Sequence, residues 1–434
     1  MNLLTTLAQQ LIRAQSITPD PAETFDIIGT FLKNKGFTLT FQRYKSVTNM
    51  WAYKDFLSQN PKVKHNTKHL MFLGHVDVVP PGPSQGWTHP PFGGEIHDQV
   101  LWGRGAVDMK GALAAFLAAL DTYEPAFGTL SLLLTSDEEG PACHGIKKMV
   151  PWMTTHAADR FPPDLCLVGE PTSDAFIGDS LKIGRRGSLT GTLTIRGKSA
   201  HIAYPEKGVN PLPSLLAALH HLHRTLPQRL EASASLPSAP AMVAASAQTH
   251  GEKPATPGNT CYLDEGYGPF APSHLTLTGL ESDTCVMNMP PAEGTAHFGI
   301  RFNPHHQGAT LEEHIRDIVS QVLSQDYDLS LSLHGEADLV RDEKAISLLS
   351  HAITKITHKD PKLITNGGTS DGRFFANLCP AIELGLKCDT MHQINERVPL
   401  EDLATLSALY TSVLSSFFDN EVASSNTATA FSSS

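Results

Sequence analysis

Three absences narrow what this chain can be. None of its six cysteines (Cys143, Cys166, Cys261, Cys285, Cys379, Cys388) stands in a C-x-x-C pair, so neither a disulfide scaffold nor a thiolate zinc site is suggested, and reduced, cytoplasmic thiols fit best. Basic clusters are missing too. With 33 Lys and Arg against 44 Asp and Glu, the net charge is −11, which argues against a nucleic-acid partner. The richest apolar run, Ala112 to Leu120, falls short of the roughly 18 residues a membrane helix needs, so no membrane partner is expected. Met1 to Thr18 lacks the basic flank and long apolar block of an export signal and reads as a first helix.

What is present suits a folded protein: 41% hydrophobic and 18% charged residues over 434 positions, enough for two domains. The first 180 residues alternate apolar strands with helices: His69 to Leu73, Gly111 to Leu120, Leu130 to Thr135, Asp164 to Gly169. From Arg186 the texture turns to period-two strands (Leu189 to Arg196, Thr295 to Asn303) between helical stretches (Leu212 to Leu226, Leu311 to Leu323), the order of a ferredoxin-like α+β insert. Helix and strand patterns return after about Gly335 (Ala345 to Ile356, Ala381 to Leu384, Leu400 to Phe417). The expected fold class is α/β. A discontinuous domain, 1–180 and 335–420, carries a mixed sheet flanked by helices, and 181–334 forms the inserted domain. Within the insert, 226–260 is rich in Ala, Pro and Ser and reads as a long loop; 421–434 reads as a disordered tail.

Chemistry gathers where strands end. His75-Val76-Asp77 follows the first strand, Asp137-Glu138-Glu139-Gly140 follows Leu130 to Thr135, and Gly169-Glu170-Pro171 follows Asp164 to Val168. Asp108 lies in a turn entering the helix Gly111 to Leu120. A lone strand-end carboxylate is ordinarily a solvated turn residue, but several in succession lie where open α/β sheets bind ligands. With His392 they make two imidazoles and several carboxylates, the donors that divalent ions prefer, zinc foremost. A bridged pair of ions also needs a separate base, and the adjacent Glu138-Glu139 could divide those labours, although spacing does not say which does which.

In these motifs, from about Leu3 to Phe417, the chain resembles the dinuclear-zinc aminoacylase and carboxypeptidase family. The resemblance implies a zinc-peptidase-like domain, a lid and dimerisation insert, a homodimer, and two zinc ions per subunit for which cobalt can substitute. It implies that His75 and Glu170 hold one ion, Glu139 and His392 the other, with Asp108 bridging, Glu138 as general base, and Asp77 orienting the His75 ring. Further stretches look like substrate-facing segments of the family's desuccinylase branch: Lys182 to Leu189, His201 to Pro205 with Tyr204, Asn288 to Glu293, Arg301, and Gly367 to Phe374 with Gly368 and Ser370. By the same resemblance, Lys182, Arg185, Arg301 and Thr369 contact carboxylates of a small acyl amino acid substrate. His201 reaches the partner subunit's site to stabilise an oxyanion, with Asn288 beside it. Where the family usually places a substrate-binding Asn, this chain has Cys388.

Each of these residues has a plainer reading: strand arginines are commonly solvated, and His201 or His392 alone would be structural. Two other functions are weighed. Gly368-Thr369-Ser370-Asp371-Gly372 matches the letters of the nucleophile elbow, but the preceding Leu363 to Asn366 is a poor strand and no oxyanion motif follows. A metal-free binding protein on this fold is the other, against which every metal and base position holds a competent side chain.

Overall fold

The computed structural model describes residues 2–56, 68–233, 260–368 and 370–428, with 231–233 and 420–428 described by backbone alone. The chain divides into two compact units, 1–183 with 340–434, and 184–339. In chain order the first unit opens with α1 (Leu3–Arg13), α2 (Thr24–Asn34), β1 (Thr38–Tyr44), β2 (Val47–Phe56), β3 (His69–His75), β4 (Glu95–His97) and β5 (Val100–Trp102). It continues with α3 (Lys110–Thr122), β6 (Gly128–Thr135), α4 (Ile146–His156), β7 (Leu165–Val168) and β8 (Ser180–Lys182). The second unit holds β9 (Gly184–Arg185), β10 (Gly187–Arg196), α5 (Leu212–Ser233), β11 (Cys261–Tyr262), β12 (His274–Ser282), β13 (Glu293–Phe302), α6 (Gly308–Val322), β14 (Tyr327–Gly335) and β15 (Asp338–Leu339). The first unit closes with α7 (Glu343–Thr357), β16 (Lys362–Ile364), β17 (Ala381–Glu383), β18 (Arg397–Pro399) and α8 (Leu400–Ala428).

In the first unit an eight-stranded mixed sheet runs β1-β2-β6-β3-β7-β17-β8-β16. Its centre is parallel: β3 pairs with both β6 and β7, and β7 with β17. Strands covered on both faces need continuous apolar runs, and β3 is buried at every position. Helix α3, an Ala- and Leu-rich segment buried from Lys110 to Leu120, packs against α1 and α8. A separate three-stranded sheet joins β18, β5 and β4.

The second unit is an antiparallel sheet, β11-β12-β13-β10-β14, with α5 and α6 sharing its core. Strands β10, β12, β13 and β14 with the two helices make the ferredoxin-like pattern. Gly187 and Gly191 on β10 stand opposite Phe302 and Phe298 on β13, whose rings lie where a β-carbon would be, 2.2 and 2.1 Å away. Glycine there is a packing requirement.

Three expectations change. The stretch read as a loop from Leu226 begins as helix: α5 runs to Ser233, because Leu215, Leu219, Leu222, Leu226 and Leu230 keep a helical period and bury one stripe; 234–259 lie outside the described residues. The segment read as an unstructured tail continues α8 to Ala428, since adding a residue to a formed helix is far easier than starting one; 429–434 lie outside the described residues. The poor strand before Ser370 includes β16, a short strand supported by parallel pairing with β8.

Candidate metal centre

Parallel register decides where the site forms. His75 is level with Thr135, and Leu73 with Val168, so the chain leaves β3, β6 and β7 at one edge of the sheet, carrying His75 with Asp77, Glu138 with Glu139, and Glu170. Two loops complete the edge, one bearing Asp108 ahead of α3 and one bearing His392 ahead of β18.

The donors form two trios sharing Asp108: His75, Asp108 and Glu170, and Asp108, Glu139 and His392. His75 Nε2 lies 3.0 Å from Asp108 Oδ1 and 3.6 Å from Glu170 Oε1. His392 Nε2 lies 3.1 Å from Asp108 Oδ2 and 2.9 Å from Glu139 Oε1, so the two carboxylate oxygens of Asp108 face different imidazoles. Asp77 holds the surroundings. Its backbone carbonyl is 2.9 Å from His75 Nδ1, while its carboxylate accepts from the amides of Glu138 and Glu139 at 3.4 and 3.1 Å. The ring therefore has its hydrogen bond with the Asp77 carbonyl; the carboxylate, 3.6 Å from that nitrogen, fixes the turn carrying the glutamate pair.

One pair of residues that sequence reasoning left without a role locks the two loops together. Arg104 donates to Glu396 at 2.7 Å, both fully enclosed, and Glu396 accepts from the amides of Gly105, Val107 and Asp108 at 3.1, 2.8 and 3.2 Å. Arg104 also donates to the carbonyls of Gln393 and His392. The loops presenting Asp108 and His392 are thus one hydrogen-bonded block. Another such residue is Asp371, buried with no hydrogen-bond partner for either carboxylate oxygen among the described residues.

Electrostatically the centre has an excess of negative charge. Burial, reinforced by Asp371, Asp108 and Glu139 against the pull of His75, pushes Glu138 up to about 8. Burial raises Asp371 to about 7, with Arg373 and His75 opposing and Asp77 and Asp137 adding to it. Burial, then Asp108 and Glu138, raises Glu170 well above the carboxylate range. Both imidazoles respond: hydrogen bonds to Asp108 and Glu139 raise His392 to about 10, and in His75 the burial that disfavours charge is outweighed by Asp108, Glu170 and Glu138. Cations would offset this crowding. The nitrogen and oxygen atoms of each trio lie within 4.8 Å of one another, which fits divalent ions that favour imidazole and carboxylate.

The residues expected at the substrate fall into separate groups. In the first unit Lys182 donates to the Gly368 carbonyl at 2.7 Å and is 2.9 Å from Glu383 Oε2, while the Ser370 hydroxyl donates to Glu383 Oε1. Glu383 was not singled out by sequence, and among the described residues no imidazole partners Ser370, which leaves the nucleophile elbow there without its base. Thr369 lies outside the described residues, and Cys388 is exposed. In the second unit His201 and Tyr204 are exposed, their rings 6.2 Å apart, and Ile202 donates to the carbonyl of Asn288, which joins the two segments. Arg301 is paired in register with Ser188 and His274, and Arg185 with Asp338. Burial and the neighbouring Arg301 hold Arg186 below its ordinary value.

A mixed sheet whose parallel strand ends, with two neighbouring loops, gather two histidine and carboxylate trios defines a candidate divalent-metal site. The particular family follows from comparison: the profile of peptidase family M20/M25/M40 matches residues 71–416, and the chain belongs to that family. It is 40% identical over 419 residues to a succinyl-diaminopimelate desuccinylase of Maricaulis maris, covering 95% of each chain. A succinyl-diaminopimelate desuccinylase of Rhodospirillum centenum is 40% identical over 421 residues, covering 95% of this chain and 96% of that one. Among solved structures, an M20 family metallo-carboxypeptidase from Sulfolobus solfataricus shares the fold with a TM-score of 0.72 at 16% identity, covering 96% of this chain and 99% of that one. A dinuclear metal-binding M20 peptidase from Bacillus subtilis gives 0.62 at 12%, covering 96% and 98%. Among the described residues no helix is long and apolar enough to cross a membrane.

Proposed function

We propose that this chain hydrolyses N-succinyl-L,L-diaminopimelate to succinate and L,L-diaminopimelate, with two zinc ions per subunit, as a cytoplasmic homodimer. The observation that carries the reading is a pair of donor trios sharing Asp108 beside Glu138, in a chain whose relatives bearing that activity's name match it nearly end to end. His75, Asp108 and Glu170 would hold one ion, and Asp108, Glu139 and His392 the other. When bound, such ions polarise a carbonyl and ease loss of a proton from water near neutral pH. Glu138 takes that proton as water attacks the succinyl carbonyl, then gives it to the departing amine, so the C–N bond breaks with a carboxylate and an amine as products. Asp77 keeps Glu138 in place through the amide hydrogen bonds of its turn.

Lys182, Arg185, Tyr204, Asn288, Arg301, Gly368, Thr369 and Ser370 are assigned to substrate binding, and His201 to oxyanion stabilisation in the partner subunit, on the strength of the family resemblance. Dimerisation through the second unit is supported by exposed apolar side chains there, Leu277, Leu280, Val286 and Met287. The deciding experiment compares turnover of N-succinyl-L,L-diaminopimelate and N-acetylornithine by zinc-loaded protein, with a chelator control. A chelator-sensitive preference for the succinyl compound is expected. Preference for the acetyl compound overturns the substrate assignment, and chelator-resistant turnover overturns the metal assignment.

A further inference from the structure

Away from this centre, three donor side chains converge on one point. His89 Nδ1 and His97 Nε2 lie 3.0 and 2.9 Å from the same carboxylate oxygen, Glu95 Oε2. The surroundings hold all three. Glu95 and His97 alternate on β4 and so share a face. A tight turn with left-handed Asp98 and Gln99 (φ 50° and 62°) returns the chain to β5, which pairs with both β4 and β18. His89 is restricted by the following Pro90-Pro91, and the turn there is closed by Gly93 donating to the Pro90 carbonyl at 2.9 Å. Its ring stacks on His97, 4.0 Å away at 18°, and leans at 52° against Trp102, 4.9 Å away, whose ring also lies 5.0 Å from the Arg397 guanidinium.

We propose that His89, Glu95 and His97 form a peripheral binding site for a borderline divalent transition ion such as zinc or nickel, with water completing the coordination. Two imidazoles and one carboxylate are the donor types such ions select. The spacing agrees with this. Ligand atoms about 2.1 Å from an ion, at angles between square and tetrahedral, stand about 3.0 to 3.4 Å apart. The nitrogen-to-oxygen separations here are already at the short end of that range. The mutual distances within the trio stay under 4.8 Å, so one ion can take the place of both hydrogen bonds once the exposed His97 ring turns out of its stack on the half-buried His89 and both lone pairs face the ion. With three protein donors and an open side to solvent, the site binds more weakly and exchanges faster than the buried centre.

The site is tested with tag-free enzyme already loaded with zinc, dialysed against micromolar zinc, with metal per chain measured by mass spectrometry. Wild type is expected to hold one zinc per chain more than His97→Ala or Glu95→Gln, with turnover the same in all three. Nickel titration provides a second readout, because an ion on His89 quenches Trp102 fluorescence; the quenching is expected in wild type and absent in His97→Ala. Equal zinc content in wild type and both variants, or nickel quenching that survives His97→Ala, overturns the proposal.

Discussion

Strand β3 of the first unit is buried along all seven residues and ends in a histidine, whereas β12 of the second unit buries only Leu275 of its nine. The first unit spends its burial on polar chemistry: His75, Asp77, Asp108, Arg104, Glu396, Asp371 and Glu383 are all enclosed. The second encloses fewer such groups, chiefly the Asp264–His306 pair at 2.7 Å, and fills its interior with Leu, Ile and Phe. In the first unit a single polar substitution strands a partner in low dielectric, where loss is large. In the second, most surface changes meet water.

The strongest test of that contrast is Glu138→Gln, which should lower turnover by about 10² to 10⁴-fold, the usual worth of a positioned base, while metal content stays the same. Unchanged turnover would remove the base assignment. Next is Glu396→Ala. It leaves Arg104 buried without its carboxylate and frees three backbone amides, so a loss of about 3 to 5 kcal/mol in urea unfolding is expected, with reduced metal retention. Wild-type stability would show the block to be dispensable.

His69 sharpens the comparison through pH. The Arg160 carbonyl can only accept, so Nδ1 carries the proton and Nε2 accepts from the Ser131 hydroxyl. Burial holds this neutral ring down to about 4 against an ordinary 6.5, so the unfolded chain takes up a proton first as pH falls. Stability should therefore be full above pH 6.5 and decline towards pH 4 by about 3 kcal/mol, and His69→Gln should flatten that limb in acid unfolding. A slope identical to wild type would contradict it. Smaller still is Gly191→Ala in the second unit, where the new methyl meets the Phe298 ring; about 1 to 3 kcal/mol of overpacking cost is expected by calorimetry. At the bottom, Arg196→Ala removes exposed pairs with Asp326 and Asp328 and should leave the unfolding midpoint where it is.

The same contrast explains what the sequence disclosed. Period-two strands such as β13 announce the second unit because one face is dry and the other wet. Continuous apolar runs announce β3, β6 and β7, and the metal candidates were legible because strand ends follow from those runs. What local pattern cannot show is pairing across the chain. Arg104 and Glu396 are 292 positions apart, and Ser370 meets Glu383 only because β17 lies inside the sheet between β7 and β8. Nor could composition reveal that 226–230 stays helical, since the Leu stripe there sits within an Ala- and Ser-rich context.

The block that ties Asp108 to His392 has a consequence for the order of assembly. The whole second unit is encoded between these two loops. A nascent chain emerging at roughly 5 to 20 residues per second therefore presents His75, Asp108, Glu139 and Glu170 long before His392 or the Glu396 carboxylate exists. The second trio is incomplete, and the Asp108 loop unfastened, until the stretch bearing His392 and Glu396 has been made. Maturation of the centre consequently waits for residues encoded beyond the second unit and cannot follow from folding of residues 1–183 alone.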